Sequence, residues 1–192
     1  MFPPLGWRWR HRIGARRSLA RLRRLRLLVL DVDGVLTDGG LWTTESGEVI
    51  KRFDVRDGLG IRLLLQAGLE VALLSGGKSG ATEQRARYLG LRHVLTGVKD
   101  KPAALAALQS NLGVNRQESA FVGDDLNDLA VRPAVDLLIC PADAVAPLRR
   151  QADWVLDRRG GDGAVRRLAE AILRARGEWA SLERRGWRDR ND

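Results

Sequence analysis

Residues 27–39 read LLVLDVDGVLTDG, and this stretch decides the fold. The aliphatic run Leu27–Leu30 stops abruptly at Asp31, and a second aspartate, Asp33, follows two residues later. A short apolar run that ends in this way is typical of a strand that is buried on both faces of a parallel sheet. Such sheets bind their ligands beyond the carboxyl ends of the strands, so we expect both aspartates to lie at a ligand site.

Predicted strands and helices alternate through the rest of the chain. A β-hairpin insertion is predicted over residues 39–53, after the first strand. Further buried strands are predicted over residues 71–74, 120–122 and 136–139. Helices are predicted over residues 59–67, 79–89, 102–113, 145–151 and 164–176. This alternation predicts an α/β fold, a doubly wound parallel sheet with right-handed crossovers, in one domain over residues 27–177.

The net charge of +9 is confined to the first 26 of the 192 residues. These contain nine arginines and no acid, whereas the remainder carries 24 basic and 24 acidic residues. We interpret residues 1–26 as a disordered arm, because blocks of like charge usually remain solvated. The alternatives are a contact to nucleic acid or an anionic membrane surface, an organellar targeting peptide, or translation from a start codon placed too far upstream. Outside this arm we do not expect a contact to nucleic acid, since the neutral remainder of the chain offers no second basic surface.

A reducing, cytoplasmic location is expected from the cysteine content. Cys140 is the single cysteine of the chain, so an internal disulfide is excluded. No apolar run approaches the roughly 20 residues that span a bilayer. We also expect no secretory signal, because the first residues lack an apolar core region.

Polar clusters follow three of the predicted strands. They are Asp31 with Asp33, Ser75 with Gly76, and Asp124 with Asp125 and Asp128; Lys101 precedes the helix that leads to the third strand. Several carboxylates at one sheet edge repel each other unless a cation lies among them. Oxygen ligands without histidine or cysteine favour a hard cation, with Mg²⁺ as the first candidate.

The same residue types suit phosphoryl transfer. A carboxylate can attack phosphorus and form an aspartyl-phosphate. Lys101 would offer a compact positive charge to the phosphoryl oxygens, and the Ser75 hydroxyl would hold another oxygen. Asp33 would protonate the leaving alkoxide and later activate water. Each piece alone is an ordinary loop feature, and only their order and their placement at strand ends favour this chemistry.

These motifs resemble the haloacid dehalogenase superfamily. The resemblance rests on residues 31–39, the Ser75-Gly76 pair, Lys101 and residues 123–128. Residues 53–62, 140–144 and 160–166 also resemble the branch of this superfamily that hydrolyses keto-sugar acid phosphates. The resemblance implies a Rossmann-like fold without a large cap domain, and a role in lipopolysaccharide biosynthesis. The expected substrate is an eight- or nine-carbon keto-sugar acid phosphate, first of all 3-deoxy-D-manno-octulosonate 8-phosphate.

The resemblance also implies a role for each catalytic residue. Asp31 is the nucleophile, and Asp33 is the general acid and base. The implied metal ligands are Asp31, Asp33 through its backbone carbonyl, and Asp124, with Asp125 or Asp128 nearby. Ser75 and Lys101 hold the phosphate.

Substrate-binding residues are expected around the carboxylate of the sugar acid. Guanidinium groups pair well with carboxylates, which makes the arginines at positions 56, 62 and 85 candidates. The full expected set is Arg56, Asp57, Gly58, Arg62, Gly76, Lys78, Arg85 and Asp128. One position departs from the branch, which usually has arginine where this chain has Gly77. Lys78 supplies charge there but no bidentate fork, so another sugar phosphate or small phosphate monoester stays an alternative substrate.

A homo-oligomer, most simply a tetramer with the hairpins at its centre, is implied by the same resemblance. The C-terminal tail, residues 178–192, would then either reach a neighbouring active site or be disordered. A non-catalytic oligomerisation module of the same fold is a further alternative. The intact set of Asp31, Asp33, Lys101 and Asp124 argues against it, because such a module has no need for crowded carboxylates.

Overall fold

A six-stranded parallel sheet forms the centre of the computed structural model, which describes residues 15–78 and 80–188. The strands are β1 (Leu27–Leu30), β4 (Glu70–Leu74), β5 (His93–Leu95), β6 (Ser119–Val122), β7 (Leu137–Cys140) and β8 (Trp154–Val155). Their order is β5-β4-β1-β6-β7-β8, with β1 between β4 and β6. The predicted α/β fold with a doubly wound parallel sheet is therefore confirmed. Strands β5 and β8 were not predicted, because runs of three and two residues at the sheet edges carry too little apolar pattern.

Helices cover both faces of the sheet. One face carries α1 (Ala15–Arg24), α2 (Val55–Gln66), α3 (Gly80–Leu89), α6 (Ala164–Arg176) and α7 (Trp179–Arg185). The other carries α4 (Lys101–Leu112), α5 (Ala146–Gln151) and a 3₁₀ helix over Leu126–Ala134; a second 3₁₀ helix, Arg116–Glu118, precedes β6. Strand β1 buries side chains on both faces of the sheet, since Leu28 and Leu30 join one apolar cluster while Leu27 and Val29 join the other. This two-sided burial explains its uninterrupted apolar sequence.

Helix α2 begins at Val55, four residues before the predicted start at residue 59. Asp54 caps it, with its side chain accepting a hydrogen bond from the Arg56 backbone N–H at 2.7 Å. Gly58 and Gly60 argued against a helix in the sequence, because glycine costs helix stability. Packing explains the glycine at position 60, because a Cβ there would lie 3.0 Å from the Cα of Arg166 in α6. The two helices therefore approach closely at the expense of local helix propensity.

The predicted hairpin is present, although its strands are short. Strands β2 (Trp42–Thr43) and β3 (Val49–Ile50) pair antiparallel, with Trp42 opposite Ile50. The Thr44 N–H donates to the carbonyl of Glu48 at 3.0 Å and closes the turn. The hairpin leaves the sheet between β1 and α2, next to the carboxyl end of β1.

The prediction of a disordered arm is wrong for residues 15–26. Helix α1 packs its leucines into the core, and Leu22 and Leu25 are fully buried. Two of its arginines meet a carboxylate that immediately precedes β7: Arg21 Nε lies 2.9 Å from an oxygen of Asp136, and Arg24 Nη2 lies 2.8 Å from the same oxygen. Leucines three residues apart give the segment an apolar stripe that its dense positive charge masked in the sequence. Residues 1–14 lie outside the described residues.

The C-terminal segment forms helix α7, which packs against α6. Trp179 joins the core, and its indole N–H donates to Glu183 at 2.5 Å. Trp187 donates its indole N–H to Gln66 at 2.8 Å. Residues 178–188 are thus held against this chain's own helices. None of the helices within residues 15–78 and 80–188 combines the length and apolarity that crossing a membrane needs.

Candidate active site

An open pocket of about 570 Å³ lies at the carboxyl ends of β1, β4 and β6. The chain leaves β1 toward β4 and later returns to β6 on the opposite side, so the pocket sits at the switch point of the sheet. It is lined by Asp31, Asp33, Gly34, Gly39, Ser75, Gly76, Gly77, Asp124, Asp125, Leu126 and Asn127. The structure thereby brings together the polar residues that follow three separate strands.

The turn after β1 is tight and passes close to the carboxylate of Asp124. The carbonyl of Val32 accepts from the backbone N–H of Leu36 at 2.9 Å and of Thr37 at 3.1 Å, which folds the chain back on itself. Gly34 has a φ of +79°, and a Cβ there would lie 2.0 Å from Oδ2 of Asp124. Glycine is therefore required at this position both by the backbone conformation and by the approach of Asp124.

Lys101 and Asp128 form a buried pair beneath the pocket. The Lys101 ammonium donates to Oδ1 of Asp128 at 2.6 Å and lies 3.2 Å from Oδ1 of Asp31. The other Asp128 oxygen accepts from the backbone N–H of Asp124 at 2.9 Å and of Asp125 at 3.3 Å. Asp128 is fully buried and does not line the pocket. Its contacts orient Lys101 and the loop that carries Asp124.

Burial and mutual repulsion shift the charges of this group. Burial, followed by the nearby Asp128 and offset in part by Lys101, raises the pKa of Asp31 to about 6. Burial, followed by Asp31 and Asp128, raises the pKa of Asp124 to about 7. For Lys101, burial opposes the charged form, but the Asp31 and Asp128 carboxylates outweigh it and raise the pKa. The site therefore holds more negative charge than one lysine neutralises.

These residues fit a divalent cation. Carboxylate oxygens of Asp31, Asp124 and Asp128 all lie within 4.8 Å of one another. Oδ1 of Asp31 is buried, and its neighbour is the Lys101 ammonium at 3.2 Å, which Asp128 shares at 2.6 Å. One ammonium does not neutralise three neighbouring carboxylates, and a hard, oxygen-ligated cation would supply the missing positive charge. The Asp33 carboxylate is not part of this group and is bound by Lys51 instead, which leaves its backbone carbonyl as the atom for the implied ligand role.

We predict that Mg²⁺ stabilises the protein more at high pH than at low pH. Asp31 and Asp124 have pKa values of about 6 and about 7, above the 3.8 of an ordinary aspartate, so the folded metal-free protein binds protons more tightly than the unfolded chain. Their stabilisation is complete below about pH 4 and is lost as pH rises through 6 and 7. Mg²⁺ needs the deprotonated carboxylates and replaces those protons.

The measurement is the melting temperature with Mg²⁺ and with EDTA between pH 5 and 8. Asp57 also has a raised pKa of about 6, caused first by burial, so the metal-free curve alone does not isolate the site. The difference between the melting temperatures in Mg²⁺ and in EDTA isolates the contribution of the metal site. A difference that stays constant across this pH range would contradict the assignment of Asp31 and Asp124 as ligands.

Lys51 is a site residue that the sequence did not indicate. Its ammonium donates to both carboxylate oxygens of Asp33, at 2.7 and 2.9 Å, and its side chain is only 3% exposed. It follows β3 directly, in a hairpin whose alternation predicted only a strand. A lone lysine in such a segment carries no pattern that would single it out.

The Ser75 side of the pocket is built from a tight turn. Ser75 is buried, and its hydroxyl accepts from the Gly77 N–H at 3.2 Å. A Cβ on Gly77 would lie 3.2 Å from Oδ2 of Asp33, so a larger residue there would crowd that carboxylate. Gly76 also lines the pocket. The departure from the branch at Gly77 thus concerns a position that touches Asp33.

Two of the expected substrate-binding residues line a second groove, between the hairpin and α3. This groove measures about 880 Å³ and includes Lys51, Phe53, Lys78, Arg85 and Tyr88 in its lining. The guanidinium of Arg85 lies 5.8 Å from the Phe53 ring centre and 5.6 Å from that of Tyr88. Gly58 lies beneath it, since a Cβ there would come within 2.3 Å of Arg85 Nη2. Lys51 lines this groove and contacts Asp33 in the pocket, so the two spaces adjoin.

The remaining candidates lie outside both spaces. Arg56 pairs with Asp54 at 2.7 Å and with Asp162 at 2.6 Å. Asp57 accepts from the backbone N–H groups of Gly163 and Arg166, at 3.3 and 2.7 Å, and so holds the start of α6 against α2.

Arg62 also faces away from the pocket. It donates to the carbonyl of Tyr88 at 2.8 Å and stacks over that ring at 4.8 Å. The branch-specific segment over residues 53–62 therefore contributes mainly contacts between helices.

Comparison with known proteins identifies the relatives of this chain. The haloacid dehalogenase-like hydrolase family matches residues 54–134. The 3-deoxy-D-manno-octulosonate 8-phosphate phosphatase KdsC of Escherichia coli K12 is 41% identical over 160 residues, which cover 83% of this chain and 85% of the relative. The corresponding phosphatase of Moraxella catarrhalis, solved with magnesium, phosphate and KDO, superposes with a TM-score of 0.86 at 32% identity, covering 89% of this chain and 98% of the other. The cobalt-bound Haemophilus influenzae enzyme gives 0.82 at 38% identity, covering 85% and 95%.

Phosphatase is the class of enzyme that the sheet and its carboxylate pocket define. The chain belongs to the haloacid dehalogenase-like hydrolase family, in the branch of the 3-deoxy-D-manno-octulosonate 8-phosphate phosphatases. It is a phosphoric monoester hydrolase, and its cofactor is Mg²⁺.

Proposed function

We propose that this enzyme hydrolyses 3-deoxy-D-manno-octulosonate 8-phosphate through an aspartyl-phosphate on Asp31. The observation that carries the proposal is the setting of Asp31. Asp31 is 5% exposed, directly follows the central strand β1, lines the open pocket, and has its Oδ1 3.2 Å from the Lys101 ammonium. A carboxylate that a lysine orients and that also borders the space for the substrate suits a nucleophile.

The residues divide the reaction into two steps. In the first, an Asp31 oxygen attacks phosphorus, and the bond to the sugar oxygen breaks as Asp33 gives that oxygen a proton. In the second, Asp33 takes a proton from water, which attacks phosphorus and releases phosphate from Asp31. Lys101 and Ser75 bind the phosphoryl oxygens during both steps. Mg²⁺, held by Asp31, Asp124 and the Asp33 carbonyl, would offset the repulsion between the carboxylates and the phosphate.

The carboxylate of the sugar acid is assigned to the groove beside the pocket. Lys78 and Arg85 both line this groove, and both carry the positive charge that a carboxylate requires. The aromatic rings of Phe53 and Tyr88 hold the Arg85 guanidinium in place. Arg56 and Arg62 are left out of this assignment because neither lines the groove, and Arg56 is already paired with the carboxylates of Asp54 and Asp162.

We expect the substitution Arg85→Gln to raise the KM for 3-deoxy-D-manno-octulosonate 8-phosphate by about tenfold with a smaller change in kcat, since it removes ground-state binding. A phosphate monoester without a carboxylate should be affected about twofold or less. The measurement is phosphate release with Mg²⁺ from a panel of sugar phosphates, including an eight-carbon and a nine-carbon sugar acid.

Arg87→Gln is the matched control, because Arg87 is exposed on the same helix and does not line the groove. Equal losses on substrates with and without a carboxylate would contradict the groove assignment. No preference for a sugar acid in the wild-type panel would contradict the proposed substrate and leave phosphoryl transfer intact.

A different phosphate monoester is the second candidate substrate. Gly77 favours it, because the branch usually places an arginine there and this chain offers only the neighbouring Lys78. A nine-carbon sugar acid phosphate or a smaller phosphate would then give the highest kcat/KM in the same panel.

We also propose a homotetramer that assembles through the hairpins, in the cytoplasm. The hairpin exposes large apolar side chains, with Leu41 at 59%, Trp42 at 72% and Ile50 at 55% exposure. Exposed apolar groups gathered in one place mark an interaction surface. The buried thiol of Cys140 suits a reducing compartment. Sedimentation of the wild type should give a tetramer, and Trp42→Glu should give smaller species; a wild-type monomer would rule the assembly out.

A further inference from the structure

Lys51 makes a bidentate contact to the proposed acid and base. Its ammonium lies 2.7 and 2.9 Å from the two oxygens of Asp33. The Lys51 side chain is 3% exposed, while the Asp33 side chain is 35% exposed and lines the pocket. Burying an ammonium is costly unless a partner is fixed beside it. The burial of Lys51 in an otherwise exposed hairpin therefore indicates a specific partner rather than a solvated surface charge.

The opposite side of the Asp33 carboxylate is bounded by the turn after β4. A Cβ on Gly77 would lie 3.2 Å from Oδ2 of Asp33 and 3.7 Å from Oγ of Ser75. The carboxylate thus sits between the Lys51 ammonium and the Gly77 backbone. If the Lys51 ammonium were removed, the Asp33 carboxylate would lose the donor that fixes its orientation on the side of the hairpin.

We infer that Lys51 is a positioning residue, which holds the Asp33 carboxyl group toward the leaving oxygen of the substrate. The inference rests on the proposed function, because Asp33 has this task only if Asp31 is the nucleophile. Lys51 acts on the direction in which the carboxyl group faces, through its contacts to the two Asp33 oxygens, and it transfers no proton itself. Because Lys51 directly follows β3, its contact with Asp33 also links the hairpin to the catalytic pocket.

The test compares substrates that differ in their need for a proton on the leaving oxygen. A sugar phosphate releases an alkoxide and depends on the acid, whereas 4-nitrophenyl phosphate releases a stabilised phenolate and needs little protonation. The ratio kcat/KM covers the steps up to loss of the leaving group, so later release of phosphate from Asp31 does not obscure the comparison. The variants are Lys51→Met, Lys51→Arg and, as a matched control, Arg52→Met. Arg52 is the next residue, is 63% exposed and pairs only loosely with Asp38, at 3.8 Å.

We expect Lys51→Met to lower kcat/KM for the sugar phosphate about 100-fold, through kcat, which is the lower end of what general acid catalysis contributes. The value for 4-nitrophenyl phosphate should fall about threefold or less, and KM for the sugar phosphate should change about twofold or less. Lys51→Arg should recover a large part of the loss, because a guanidinium can also donate to both oxygens of a carboxylate. Arg52→Met should leave both substrates unaffected.

Three results would overturn the inference while the wild type is active. They are equal losses on the two substrates, a loss carried by KM alone, and no loss on the sugar phosphate. The first would make Lys51 a structural anchor of the hairpin, and the second would make it a substrate-binding residue of the groove. A wild type that releases phosphate from neither substrate would overturn the proposed function and this inference with it, so the two failures are distinguishable.

Discussion

Asp31→Asn is expected to lower kcat at least 10⁴-fold while the protein stays folded. The amide keeps the shape of the carboxyl group but has no nucleophilic oxygen, so the aspartyl-phosphate cannot form. A 10⁴-fold loss corresponds to about 5.5 kcal/mol of transition-state stabilisation. Lys101 keeps a carboxylate partner in Asp128 at 2.6 Å, so no buried ammonium is left alone.

The stability of the metal-free Asp31→Asn protein should not fall with its activity. Burial and the neighbouring Asp128 raise the pKa of Asp31 to about 6, so its charge is unfavourable in the metal-free protein at neutral pH. Removing that charge should keep or slightly raise the melting temperature in EDTA. It should also weaken the stabilisation by Mg²⁺, because one carboxylate ligand is lost.

The measurements are phosphate release and melting temperature for the variant and for Asp38→Asn. Asp38 is seven residues downstream, its side chain is 57% exposed, and the backbone contact that it accepts from Gly40 at 3.0 Å is one that asparagine also accepts. This control should retain full turnover. Turnover of Asp31→Asn near the wild-type rate would remove Asp31 from the nucleophile role, and a collapse of its melting temperature would show that the loss was one of folding.

The sequence predicted the sheet well because its central strands are buried on both faces. Leu27–Leu30 is apolar throughout for that reason, and Gly113 ends α4 with a φ of +58° as its position suggested. Helix α1 was missed because nine arginines in 26 residues read as a solvated arm. The partners that hold helix α1 in place are distant in sequence, since Arg21 and Arg24 meet Asp136, which is more than 110 residues away.

The candidate site was predictable where its residues follow strands. Strand ends meet at one edge, so Asp31, Ser75 and Asp124 were expected to converge, and all three line one pocket. Residues whose placement depends on side-chain packing were not predictable in this way. Asp128 lies in the 3₁₀ helix that follows the same strand as Asp124, but it is buried beneath the pocket. Lys51 reaches Asp33 only through the path of the hairpin, which no local pattern encodes.

Lys101→Met is expected to abolish turnover and to lower the free energy of unfolding by about 3 kcal/mol, because breaking a buried ion pair leaves carboxylates uncompensated. Lys101 is 4% exposed, and its ammonium contacts both Asp128 and Asp31. The remaining carboxylates can take up protons, since the pKa values of Asp31 and Asp124 are already raised by burial, and this keeps the loss near the lower end of the range for buried pairs.

A second substitution separates stability from catalysis. Adding Asp128→Asn to Lys101→Met removes the charge that the ammonium neutralised, while the amide oxygen still accepts the Asp124 N–H that Asp128 accepts at 2.9 Å. The double variant should regain much of the lost stability and none of the turnover, because the phosphoryl oxygens still lack their cation. Urea unfolding in EDTA and phosphate release with Mg²⁺ measure the two effects. Lys99→Met, two residues upstream and exposed, should match the wild type in both. Turnover restored in the double variant would mean that Lys101 only balances Asp128 and does not bind the phosphate.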